Sequence, residues 1–486
     1  MILSNQINDP LLILAIGISF VVIGIMVLRL HAFLSLLLGT FVVAILTSDS
    51  SIIQYLISKG ISIAEANNIA NQKVGERIAI EFGRTCGKIG ILIAMASIIG
   101  KTMLQSGAAE RIVRSMLKFT GNKNAPLTFL GSSFFIGIPV FFDTVFYLML
   151  PLAKTTTVKL GKNYLLLVLC IIAGAAMANS LIPPTPGPLF LISELNIPIG
   201  MMMIAGFLVG SICIIAGYFF AVWANMKWPI NLRNSIDGSL KEIKKISQRE
   251  EKSLPPLFFS LLPILVPIIL ITGKALIDTF LNFNDILLSP LFSYLYLFID
   301  FFGEKNIALI TGALSSLILL AVQKNNDTKF LSSSVYDAIM SAGVIILITS
   351  AGGAFGAILQ QTGISIRIGE LTKDYQMALI PLAFFITAVV RTAQGSATVA
   401  MITSSGILAG MATSISLDYH QLYIGLAIAC GSKLIPWMND SGFWIICKMS
   451  DLTEKEVLKT FSPMLSIMGL VGLIVVLVSA KLFPLI

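Results

Sequence analysis

The chain has 486 residues, of which 56% are hydrophobic and only 12% charged, with a mean hydropathy of +0.90 and a formal net charge of +8. Charged residues make up about a quarter of an ordinary soluble domain, so this composition excludes a soluble globular protein and points to a polytopic membrane protein. The excess of lysine and arginine fits basic loops on the inner face of a membrane and not a nucleic-acid surface.

In chain order, charge-free stretches recur that are long enough to cross a hydrocarbon core, which takes roughly 20 apolar residues in a helix. Residues 10–28 and 30–48 predict the first two, and the opening "MILSNQINDPLLILAIG", without a basic leader or a small-residue cleavage site, reads as a retained first span. Residues 163–180, 195–226, 253–273, 307–323, 338–366 and 462–480 follow, with shorter apolar stretches near Ile89 and Leu379. Together they predict about 10 to 14 membrane elements. Closed barrels alternate polar and apolar residues and these stretches do not, so the expected fold is all-α. Cys86, Cys170, Cys213, Cys430 and Cys447 are scattered without CxxC spacing, and His31 and His420 are isolated, so no metal site and no cofactor is expected.

Loop charges orient the chain. Residues 227–252 hold Lys227, Arg233, Lys241, Lys244, Lys245, Arg249 and Lys252 and predict a cytoplasmic connecting loop between a membrane repeat at 1–226 and a second at 253–486. Arg29, the group Arg111, Arg114, Lys118 and Lys123, and the group Lys154, Lys159 and Lys162 are assigned to the same side. Residues 124–153 lie between two such groups, so they are expected to enter and return as a re-entrant hairpin or broken helix. The halves align in a constant register: Gly100 on Gly356, Gln105 on Gln361, Gly107 on Gly363, Arg111 on Arg367 and Ile112 on Ile368. A weaker echo sets "LIPPTPGPLFLI" from Leu181 against "LIPWMNDSGFWII" from Leu434. The loop charges give the copies opposite orientations, the inverted-repeat pattern of secondary transporters.

Four apolar stretches are interrupted by backbone breakers beside polar side chains. The first carries Gly137, Pro139 and Asp143; the second Asn179, Ser180, Pro183, Pro184, Thr185, Pro186 and Gly187. The third carries Arg391, Gln394, Gly395, Ser396 and Thr398; the fourth Asn439, Asp440, Ser441 and Gly442. Proline removes an amide donor, and irregular backbone is tolerated at membrane depth only where protein or a water-filled cavity satisfies it, so such breaks predict a site. The plainer alternatives are a surface loop at the prolines, a helix-capping Asp143, an ion pair of Asp440 with nearby Lys433 or Lys448, and an Arg391 that snorkels to an interface. Asp143 first and Asp440 second are the expected proton-coupling carboxylates, since burial raises a carboxylate toward neutral titration. Asn179, Ser180, Thr185, Arg391, Gln394, Ser396, Thr398, Asn439 and Ser441 are the expected substrate-binding groups.

The pieces "SGAAERI", "GIPVFFD", "PPTPGP", "RTAQGSATVA" and "NDSGFW", in this order from Ser106 to Trp444, resemble the gluconate:proton symporter (gluconate permease) family over nearly the whole chain. The resemblance implies an inner-membrane transporter of the ion-transporter superfamily that takes up gluconate or a related hydroxy or amino acid, such as glycerate or D-serine, with protons. This chain has Ser180 where many members carry a histidine, and Pro436, Trp437 and Met438 where the lead into the acidic motif differs. The expected partners are a small organic anion, protons and the lipid bilayer, with a homodimer as the candidate assembly. The chain carries no GxxxxGK[ST], HExxH or GxSxG motif. A channel and an intramembrane hydrolase using Ser396 or Ser441 are the rival classes, the latter without a histidine placed as base.

Overall fold

The computed structural model describes residues 9–28, 30–121, 124–232, 253–280, 290–364, 376–414, 417–438 and 440–485. All regular structure among them is helical. The order is α1 (Pro10–Met26), α2 (Ala32–Leu46), α3 (Asp49–Ser58), α4 (Ile63–Ala70), α5 (Val74–Ser106), α6 (Ala108–Thr120), α7 (Ala125–Ile136), α8 (Phe142–Leu160), α9 (Tyr164–Leu181), α10 (Pro186–Glu194) and α11 (Ile199–Lys227). Then come α12 (Leu257–Phe280), α13 (Pro290–Phe302), α14 (Lys305–Gln323), α15 (Thr328–Gln360), α16 (Leu379–Gln394), α17 (Ala397–Ser414), α18 (Leu422–Gly431), α19 (Ser441–Ser450) and α20 (Glu454–Leu482).

Seven helices among the described residues are long and apolar enough to cross a membrane, or eight if the pair α2–α3, bent by 98°, counts as one broken span. Five shorter apolar helices accompany them, among them the whole of α7 and α18 and the larger part of α16 and α17. These are half-spans: a helix of 10 to 12 residues such as α18 or α7 is too short for the hydrocarbon core, and its partner lies beyond a break. Much of the cytoplasmic loop expected at 227–252, together with Arg29, Lys123, Arg367 and Ile368, lies outside the described residues. Lys227 closes α11 with its ammonium 4.8 Å from the Trp223 ring centre and 5.2 Å from that of Trp228, an aromatic and cationic anchor of the kind found at a membrane interface.

Local chemistry sets the helix ends. Asp9, Glu304 and Asp327 accept first-turn amides, and Thr453 with Glu456 forms a reciprocal capping box that starts α20. Gly107 ends α5 at φ 79° and Gly363 follows α15 at φ 81°, so the aligned glycines adopt the same left-handed conformation. The element lengths repeat as well: α5 and α15 each have 33 residues, α11 and α20 each 29.

Both of these equal-length pairs pack antiparallel. A Cβ on Gly353 of α15 would stand 2.2 Å from Thr85 Oγ1 of α5, while Lys101 Nζ lies 3.2 Å from Asp337 Oδ2. Gly217 of α11 faces Met468, and Gly472 of α20 faces Cys213. The most enclosed of the candidate spans is the α9–α10 segment, 94% buried over its most apolar window against 28% for α12. Lipid-facing helices keep apolar surface outside, whereas α9 is sealed on all sides by other helices and holds the site in the centre.

Candidate functional site

The four expected breaks are all present, and each frees backbone groups that the surrounding protein satisfies differently. Between α7 and α8 the chain turns at Gly137, whose amide donates to Ser133 O (2.9 Å) and which packs against Ala175 and Ala178 of α9. Between α9 and α10, Thr185 Oγ1 donates to the carbonyls of Asn179 (2.8 Å) and Ile182 (2.9 Å), and Pro186 occupies the first turn of α10, where a missing amide proton costs nothing. Gly395 at φ 78° closes α16, and Ser396 Oγ then accepts the Val399 amide at 3.3 Å. Between α18 and α19, Trp437 Nε1 donates to Thr392 O (2.8 Å), the Ile435 amide donates to Ser466 Oγ (2.9 Å), and Ser462 Oγ donates to Pro436 O.

Three of these breaks meet around a cavity of about 410 Å³. Its walls are Phe141 to Thr144 at the start of α8, Ala176 and Asn179 of α9, Ser341 and Ile345 of α15, Arg391 of α16, and Ser396 to Thr398 at the start of α17. Lys433, Asp440, Gly442, Ile445, Phe461 and Leu465 complete it. The volume falls within the range of about 300–1,000 Å³ of small-molecule sites. A larger groove of about 990 Å³ along α11 and α20 has a mainly apolar wall, interrupted by Lys274, Glu304, Lys305, Tyr423 and Ser479.

The charges of the cavity are mostly buried. Arg391 and Asp440 are 3% and 8% exposed and form an ion pair through Nη2 and Oδ2; Arg391 Nε also donates to Ser432 O (3.0 Å). The other Asp440 oxygen caps α19 by accepting the Gly442 amide at 2.7 Å. The expected pair of Asp440 with Lys433 or Lys448 is thus replaced by one with Arg391, which does not snorkel outward. Arg391 Nη1 and Asn179 Nδ2 are buried and have no hydrogen-bond partner among the described residues. The helices α8, α17 and α19 all begin at the cavity, and the first turn of α8 has no side-chain cap and carries Asp143. Helix N-termini carry a partial positive charge that favours anions.

Of the expected residues, Asp143, Asn179, Arg391, Ser396, Thr398, Asp440 and Gly442 line this cavity. Asp143 is exposed on the cavity wall. Ser180 is fully buried and Thr185 bonds backbone; neither lines the cavity. Pro139, Pro183 and Pro184 instead face a small apolar crevice shared with Pro263 and Pro267, and Gly187 packs against Met401. Asn439 and the side chains of Gln394 and Ser441 lie outside the described residues. Sequence reasoning missed Lys433, Phe141, Phe142 and Thr144 as lining groups. A lysine directly before "LIPW", where the first half has Ser180 before "LIPP", was the available signal.

Broken helices that meet at a polar, charge-lined cavity inside an all-helical membrane protein define a solute transporter. The chain belongs to the family described as GntP family permease, whose model matches residues 9–482. It is 29% identical to an uncharacterized permease of Haemophilus influenzae over 96% of this chain and 92% of that one. It is 28% identical to a gluconate permease of Zymomonas mobilis over 86% and 90%. The fold is similar to the crystal structure of the Alcanivorax borkumensis YdaH transporter, with a TM-score of 0.57 at 16% identity over 84% of this chain and 88% of that one. The protein is therefore a multi-pass inner-membrane permease and not an enzyme.

Proposed function

We propose that this permease takes up gluconate or a related small hydroxy-carboxylate together with protons across the inner membrane. The observation that carries the reading is the cavity in which the N-termini of α8, α17 and α19 converge beside Arg391 and Lys433. A carboxylate entering a membrane protein needs its charge met by amides or cations, and the uncapped first turn of α8 with Arg391 Nη1 supplies both. Asn179, Ser396 and Thr398 add neutral groups suited to the hydroxyls of a sugar acid. Relatives named gluconate permease or transporter support the same solute class.

We read the two halves as inverted repeats. Support comes from the matched lengths of α5 with α15 and α11 with α20, their antiparallel packing, and the left-handed caps at Gly107 and Gly363. Helices related by a two-fold axis and running antiparallel across a bilayer place that axis in the membrane plane, the arrangement of alternating-access carriers. An amino acid such as D-serine is the second reading, because the exposed carboxylate of Asp143 on the cavity wall offers a partner for an ammonium group.

Counterflow in proteoliposomes against gluconate, glycerate, D-serine and neutral sugars tests both. The expected outcome is saturable exchange of gluconate, with accumulation when the outside is made acidic. Exchange of only neutral sugars or cations would overturn the reading, and D-serine exchange without gluconate exchange would select the second.

A further inference from the structure

Lys433 differs from every other charged group of the cavity. It stands in the break after α18, is 4% exposed, and follows Ser432, whose carbonyl holds Arg391. Its stem is pinned by α20, since a Cβ on Gly469 would lie 3.3 Å from Lys433 Cβ. The groups acting on it electrostatically are Arg391 from α16, Asp440 from the same break, and the thiol of Cys430 one turn back. Asp440 is already committed to Arg391, and Lys433 has no ion pair of its own among the described residues. From α8 the cavity receives the exposed Asp143; α9, α15, α17 and α20 contribute only neutral groups to its wall.

Among the buried charges Arg391 and Asp440 cancel, and Asp143 is exposed, which leaves the lysine as the buried cation without a buried counter-ion of its own. An uncompensated charge inside a membrane protein is costly, and of the two cations only lysine can shed its charge by releasing a proton. The surplus is removed either by deprotonation or by an incoming anion. These two events are then linked, because the ammonium is favoured only when a carboxylate is present.

We infer that Lys433 carries the transported proton, taking it from water as the substrate carboxylate settles between Nζ and Arg391 Nη1 and returning it to water when the anion leaves. No covalent bond of the solute changes; one N–H bond forms on binding and breaks on release. Anion and proton thus cross as a neutral pair. This rests on the reading of the cavity as the site of a hydroxy-carboxylate. It moves the coupling group from the carboxylates Asp143 and Asp440 to an amine.

The test measures binding of the best-bound member of a sugar-acid panel, starting with radiolabelled gluconate, alongside counterflow and accumulation driven by a pH gradient. Wild-type affinity is expected to weaken toward about tenfold per pH unit on the alkaline side, the limit for uptake of one proton per anion. Lys433→Arg, permanently charged, should flatten that dependence and lose gradient-driven accumulation while keeping counterflow; counterflow also reports that the variant has folded. Asp143→Asn, whatever it does to affinity at the cavity wall, should keep the pH dependence and the gradient-driven accumulation. The inference is overturned if Lys433→Arg or Lys433→Gln accumulates the anion with wild-type pH dependence, or if Asp143→Asn alone abolishes coupling. Should the variants fail to reach the membrane, a wild-type affinity that is flat between about pH 6 and pH 9 overturns it without them. Absence of binding by every panel member would remove the anion-site reading itself, a failure visible in the wild type before any Lys433 variant is compared.

Discussion

The break between α9 and α10 and the break between α18 and α19 occupy corresponding places in the two halves, yet they are built from opposite materials. In the first, the polar groups other than Asn179 are kept away from the cavity: Thr185 ties down two carbonyls, Ser180 is sealed, and Pro183 and Pro184 face an apolar crevice. In the second, Lys433 and Asp440 meet Arg391 of α16, and the three bring buried charges to one cavity. Both satisfy the requirement that irregular backbone inside a membrane be covered by protein. The difference teaches that one break serves as a rigid support while the other supplies electrostatics, so two breaks in one membrane protein need not share a chemistry.

The sharpest way to break this comparison is to remove the α16 cation that pairs with Asp440 of the charged break. Arg391→Ala leaves Asp440 buried without its partner, which should cost roughly 3–5 kcal/mol and appear as a large fall in the melting temperature of detergent-purified protein. A fall no larger than that of a first-break variant would mean that the two breaks are equivalent after all.

Next in size comes the contrast between the neighbours Asn179 and Ser180, one on the cavity wall and one sealed away from it. Asn179→Ala should weaken the apparent affinity in counterflow by more than about tenfold, the loss of about 1.5–3 kcal/mol for a hydrogen bond to a charged ligand. Ser180→Ala should leave the affinity within about twofold. Equal effects would place the first break at the substrate.

Gly206 probes the support function alone. A Cβ there would stand 2.2 Å from Leu181 O, backbone that cannot rotate away, so Gly206→Ala should destabilise the protein by about 1–3 kcal/mol. The pH dependence of transport should be unaltered, and a changed pH profile would tie the apolar break to coupling. Smallest is Thr185→Val, which leaves two carbonyls short of a donor and should cost about 0.5–1.5 kcal/mol in thermal denaturation without altering substrate affinity.

Much of this organisation was legible in the chain. Low charge and long apolar stretches required helices in a membrane. Gly137, Pro183 and Pro184, Gly395 and the "NDSG" sequence marked the places where those helices stop. The register of Gly107 on Gly363 foretold two glycines with the same left-handed backbone. Lys433 was legible only as a charge near Asp440, and nearness in sequence suggested the wrong ion pair, because the true partner Arg391 lies 49 residues from Asp440 on another helix.

What the sequence determined by itself was therefore everything governed by residue type and local backbone: membrane residence, helical class, and the positions where amide donors are missing or a positive φ is required. What only the tertiary structure decided was the direction each polar group faces. Asn179 and Ser180 are adjacent and chemically alike, and nothing local separates them. Their different fates, like the pairing of Arg391 with Asp440 and the isolation of Lys433, follow from helices distant in sequence packing against α9 and α18. In that packing a polar side chain is stable only where it meets a partner or an enclosed space for one.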